Sequence, residues 1–124
     1  MEDDESSRFV LREILEHDGF AVLSSAGLTD AIDTCQTHPE PIALLVCDVV
    51  LRGPGGPEGI RQLKQLRPDM AILFVSGYPL EQLENRGMVE KVDRPGEKTD
   101  FLQKPFTAKA LLKTVHNLVD RVQE

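Results

Sequence analysis

The sequence of 124 residues has no tryptophan, one tyrosine and five phenylalanines, so its core must rest on aliphatic side chains. Cysteine is scarce. Cys35 and Cys47 match no zinc or redox spacing, and both fall on apolar stretches. They read as reduced, buried thiols of a cytosolic protein. His17, His38 and His116 stand too far apart to suggest a metal site and read as solvated or helix-surface residues. Positive charge is also short, 14 Lys and Arg against 21 Asp and Glu, for a net charge of −7. A polyanion such as DNA would be repelled by that balance, which disfavours direct nucleic-acid binding. No apolar run approaches the length that crosses a bilayer. The opening Met1-Glu2-Asp3-Asp4 is acidic, unlike a signal peptide.

Hydrophobic residues nevertheless make up 40% of the chain, and the length suits a single domain over 1–124 with a core of its own. A helical period runs from Ser6 to His17 through Phe9, Val10, Ile14 and Leu15, and Asp18-Gly19 stops it. Phe20 to Leu23 reads as a short strand. A second helix is expected over Leu28 to Thr37, ended by Pro39 and Pro41. Ile42 to Val46 is apolar without alternation, the pattern of a parallel strand covered on both faces. It delivers Cys47 and Asp48, and the glycine- and proline-rich loop Arg52 to Pro57 follows.

A third helix is expected over Glu58 to Leu66, a buried strand over Ala71 to Val75, and a short helix over Leu80 to Leu83. Asn85 to Thr99 reads as a long connection. Phe101 to Gln103 is a last strand. Thr107 then caps a helix whose inward stripe is Leu111, Val115, Leu118 and Val122, a helix that could also offer a partner or dimer surface. The alternation of helix and strand predicts a three-layer α/β domain with a parallel sheet, and such sheets place ligands at the carboxyl ends of their strands.

Glu2, Asp3 and Asp4 precede the first helix, and Asp48, Ser76 and Lys104 each end a strand. The fold would gather them on one rim. Clustered carboxylates beside a lysine and a hydroxyl suit a hard divalent cation together with an anion. A carboxylate can attack phosphorus to give an aspartyl-phosphate, a step that needs positioning and charge neutralisation.

Four segments together, Glu2-Asp3-Asp4, Val46-Cys47-Asp48, Val75-Ser76-Gly77-Tyr78 and Lys104-Pro105-Phe106, resemble the response-regulator receiver domain of two-component signalling. The resemblance spans nearly the whole chain, and its details look most like receivers attached to hybrid sensor histidine kinases. It implies a flavodoxin-like sandwich with strand order 2-1-3-4-5. It also implies residue roles. Asp48 would be the phosphoacceptor, Lys104 the family lysine, and Ser76 the switch hydroxyl. Phe101 would be the switch aromatic. Asp3, Glu2, Asp48 and the Val50 backbone carbonyl would hold Mg²⁺, with Asp4 an additional acidic residue. The implied partner is a histidine kinase or a histidine phosphotransfer protein, and the implied location is the cytoplasm.

The chain departs from the family pattern in two places. No apolar strand precedes the acidic pair, so the central first strand is missing from the sequence as given. The expectation is a sequence that begins inside its natural domain, or a neighbouring chain that fills the gap. Arg52 also stands where proline is common, in a lengthened loop beside Asp48. These departures keep a second reading open: a receiver-like interaction module that does not use phosphorylation. A third reading, an aspartyl-nucleophile hydrolase, would place an aspartate two positions after Asp48, where Val50 stands.

Overall fold

The structure, a computed structural model, describes residues 4–48, 56–87 and 98–123. Eight elements follow in order: α1 (Glu5–His17), α2 (Leu28–Thr37), β1 (Leu44–Asp48), α3 (Gly56–Leu66), β2 (Ala71–Ser76), α4 (Leu80–Asn85), β3 (Thr99–Gln103) and α5 (Ala108–Gln123). The expected Ile42–Val46 strand is shifted by two residues, so Cys47 and Asp48 belong to β1 itself.

Local signals explain the helix limits. Asp4 is the N-cap of α1: its Oδ1 accepts from the Ser6 N–H at 3.1 Å and its Oδ2 from the Ser7 hydroxyl at 3.1 Å. The helix ends in a left-handed Gly19, φ +98°, which a side chain would strain. The Gly19 and Phe20 N–H groups reach back to the Glu16 and Leu15 carbonyls, both at 3.0 Å, and close the last turn. Thr107 Oγ1 accepts from the Ala110 N–H at 3.0 Å and caps α5 as expected.

The three strands form a parallel sheet in the order β1-β2-β3. These are the third, fourth and fifth strands of the expected 2-1-3-4-5 order. β2 lies in the middle, and its side chains alternate between two cores, as successive residues on a strand must. Ala71, Leu73 and Val75 join Leu15 of α1 with Leu111, Val115 and Leu118 of α5 on one face. Ile72 and Phe74 join Ala31 and Cys35 of α2, Ile60 and Leu63 of α3 and Leu83 of α4 on the other. Every residue of β2 is buried, so the unbroken apolar run has its physical cause.

Two tertiary contacts set the α2–α3 layer. Gly59 lets α3 approach α2 closely; a Cβ there would stand 2.1 Å from Leu28 Cδ2. Arg67, just past α3, donates to the carbonyls of Cys35 (3.0 Å), His38 and Glu40 (3.0 Å), which ties the end of α2 and the approach to β1 to the same guanidinium. That fork of donors is a geometry lysine could not reproduce.

The strand expected at Phe20–Leu23 is not one: residues 20–25 form neither helix nor ladder. In the expected order its sole neighbour would be the first strand, and no strand stands beside it among the described residues. A strand is a paired structure, and apolar sequence without a partner does not make one. The segment keeps the alternation of an extended chain all the same. Phe20 and Val22 pack toward the α1–α5 core while Ala21 and Leu23 are exposed.

Candidate functional site

Parallel pairing brings three polar residues to the carboxyl end of the sheet. Asp48 is the last residue of β1 and pairs with Val75. Ser76 is the last residue of β2, one step beyond that pair, and is opposite Gln103. The ladder continues into Lys104, whose N–H donates to the Ser76 carbonyl at 2.7 Å. Asp48, Ser76 and Lys104 therefore end three adjacent strands, although 56 residues separate the first from the last.

The side chains of the outer two meet. Lys104 Nζ donates to Asp48 Oδ2 at 2.9 Å. Asp48 is only 7% exposed, whereas the Lys104 side chain retains 30%. A carboxylate this buried would be costly alone, so the ammonium is its compensation and also fixes its orientation. A single ammonium binds as a point charge and engages Oδ2 of the carboxylate. Asp48 also has an interaction beyond the Lys104 contact.

Ser76 is fully buried, and its Oγ accepts the Tyr78 N–H at 3.0 Å, which folds the chain back after β2. Its hydroxyl proton remains a donor in chemical terms. Phe101 lies mid-strand on β3, opposite Phe74, and is half-buried against the core under α4. Lys104-Pro105 is a cis peptide.

Of the expected metal ligands, Asp48 is described, and Glu2, Asp3 and Val50 lie outside the described residues, as does most of the Arg52–Pro57 loop. The donor set expected there, carboxylates and a carbonyl, is all oxygen and suits a hard cation. The buried Asp48 carboxylate, at the carboxyl end of β1, is chemically suited to such a set. Asp4 is exposed and engaged as the cap of α1. Both cysteines are free and buried, and burial pushes the Cys35 thiol up despite the opposing pull of Arg67.

Three features escaped the sequence: the Arg67 clamp, the Gly59 contact, and a pair between His116 Nε2 and Asp18 Oδ2 at 2.6 Å that joins α5 to the end of α1. The Asp4 cap, by contrast, had a legible signal, since an aspartate before a helical run is a capping residue.

Among the described residues no helix is long and apolar enough to cross a membrane. The model of the response regulator receiver domain matches residues 1–116. The sensor kinase CckA of Brucella abortus is 27% identical over 121 residues, which is 98% of this chain and 12% of that protein. The C4-dicarboxylate transport transcriptional regulatory protein DctD of Pseudomonas aeruginosa is 32% identical over 122 residues, 97% of this chain and 24% of the relative. The chain thus spans a quarter or less of these two relatives. The solved receiver domain of the hybrid histidine kinase CckA superposes with a TM-score of 0.71 at 26% identity, covering 94% of each chain. A parallel sheet that ends in Asp48, Ser76 and Lys104, and a family match over nearly its full length, place this chain in the response regulator receiver domain family.

Proposed function

We propose that the chain is a single domain, residues 1–124, that accepts a phosphoryl group on Asp48. The observation that carries this reading is the Asp48–Lys104 pair: a carboxylate 7% exposed, oriented at a strand end by an ammonium at 2.9 Å. The donor is a phosphohistidine on a histidine kinase or a phosphotransfer protein. An Asp48 carboxylate oxygen attacks phosphorus in line, the P–N bond breaks, and the electron pair leaves with the imidazole. Lys104 is placed to follow the charge that develops on the phosphoryl oxygens.

Mg²⁺ would be held by Asp48, Asp3, Glu2 and the Val50 carbonyl, and when bound it supplies further neutralisation of phosphoryl charge. Ser76 gives up its contact with the Tyr78 N–H and turns its hydroxyl to the product. Phe101 is without a hydroxyl to satisfy, so it can stay half-buried in both states and its share in switching is small. Phosphorylation shifts a two-state equilibrium at α4, β3 and α5. The domain works in the cytoplasm.

Incubation with acetyl phosphate and Mg²⁺ should add one phosphoryl mass to the native protein and none to Asp48→Asn. Chelation of Mg²⁺ should suppress the addition. An unmodified native protein under these conditions would favour the phosphorylation-independent interaction module instead.

A further inference from the structure

Tyr78 is the chain's single tyrosine, and its side chain is exposed. Two contacts hold it. Its N–H donates to Ser76 Oγ at 3.0 Å, and the Arg86 guanidinium carbon stands over its ring, 5.5 Å from the centroid. A cation in that place is attracted by the negative face of the ring.

The two contacts bracket α4. Tyr78 lies two residues before the helix, and Arg86 is its C-cap, with its N–H on the Gln82 carbonyl at 3.1 Å. α4 has only six residues, far short of the length at which a helix holds by itself. Pro79, its N-cap, offers no side-chain hydrogen bond to the first turn. Leu83 is fully buried and Leu80 half-buried, so the helix is fixed to the core along one side. On the outside, the Arg86 side chain reaches back past the helix to Tyr78. It thereby joins the end of α4 to the turn that Ser76 holds.

The Ser76 hydroxyl has two calls on it. In this structure it accepts the Tyr78 N–H, and in the phosphorylated state it turns to the product on Asp48. When it turns, Tyr78 loses its backbone anchor. We propose that Arg86 is a positioning residue that acts through Tyr78 to keep Ser76 in its turn, a role that rests on Asp48 being the phosphoacceptor. The Tyr78–Arg86 contact is a brace on the unphosphorylated arrangement, and phosphorylation releases it. A contact made in one of two states stabilises that state alone. Removing the brace should therefore favour the phosphorylated arrangement about two- to fivefold, the factor that an exposed cation–π contact carries.

The chain has no tryptophan, so its near-ultraviolet emission reports Tyr78 directly. Arg86→Ala should raise the acrylamide quenching constant of that emission in the unphosphorylated protein, and phosphorylation should raise it in the native protein. The Ser76 and Tyr78 amide resonances of unphosphorylated Arg86→Ala should move along the line toward their positions in the phosphorylated native protein. Half-maximal phosphorylation of Arg86→Ala should need about two- to fivefold less acetyl phosphate, and Arg86→Lys, which keeps a cation but not the planar group, should fall between. Unchanged quenching in Arg86→Ala would overturn the brace. A native protein that is phosphorylated, beside an Arg86→Ala variant with the same acetyl phosphate dependence, would overturn the positioning role and leave Asp48 as the acceptor. A native protein that takes up no phosphoryl group would overturn both.

Discussion

β2 and β1 are neighbours in one sheet and both are apolar runs, yet they live in different surroundings. β2 has a strand on either side and a helix layer on each face, and none of its six residues is more than marginally exposed. Leu44, Leu45 and Val46 of β1 remain half-buried, and burial is completed only at Cys47 and Asp48. Apolar sequence alone therefore does not bury a strand; lateral neighbours do. The functional groups stand at the end where β1 is already covered.

Truncation of the two strands should separate these settings most sharply. Leu73→Ala removes a fully buried side chain from the middle of β2 and should cost about 2–5 kcal/mol in chemical denaturation. Leu44→Ala, on β1, should cost about 1 kcal/mol, because part of its surface already meets water. Equal losses would remove the contrast. Asp4→Ala should cost about 1 kcal/mol through the lost cap of α1, and asparagine at that position should restore most of it.

Gly59→Ala should cost about 1 kcal/mol net. Its Cβ would overlap Leu28 Cδ2, a penalty that outweighs the better helix propensity of alanine; Leu28→Ala in the same chain should convert the substitution into a gain. An effect of the same size is expected at the Asp48–Lys104 pair. A double-mutant cycle with Asp48→Asn and Lys104→Met should give a coupling of about 1 kcal/mol, reduced from the buried-pair range because the lysine keeps 30% of its surface. A coupling of zero would mean that Lys104 does not hold the carboxylate. Hydrogen exchange offers the same comparison without substitutions: amides of β2 should exchange slowest and those of Phe20–Leu23 fastest among the apolar segments.

The parts of the fold legible in the sequence are those set by local chemistry and periodicity. Asp18-Gly19, Thr107 and the stripe Leu111, Val115, Leu118 and Val122 predicted a helix end, a cap and an inward face; the first two and the stripe through Leu118 stand as expected, and the Val122 side chain lies outside the described residues. The unalternated run at Ala71–Val75 marked the middle strand correctly. Phe20–Leu23 shows the limit. Its composition suits a strand, but a ladder needs a partner that local sequence does not contain. Gly59 and Arg67 were equally hidden, since a helical glycine and a post-helix arginine look ordinary until the contact 31 residues away for Leu28, or 32 for the Cys35 carbonyl, is known. At the site, the alternating pattern sufficed to bring Asp48, Ser76 and Lys104 to one rim. It did not tell which groups touch, because side-chain reach is set by register: the ammonium crosses to Asp48 while the Ser76 hydroxyl holds its own turn.

The central claim is that Asp48 is the phosphoacceptor, and the most direct measurement locates the phosphoryl group. After reaction with acetyl phosphate and Mg²⁺, the acyl phosphate can be trapped by borohydride reduction and mapped by tandem mass spectrometry. The account predicts modification at Asp48 alone, and none in Asp48→Asn. Modification at another carboxylate, or equal labelling of Asp48→Asn, would contradict it.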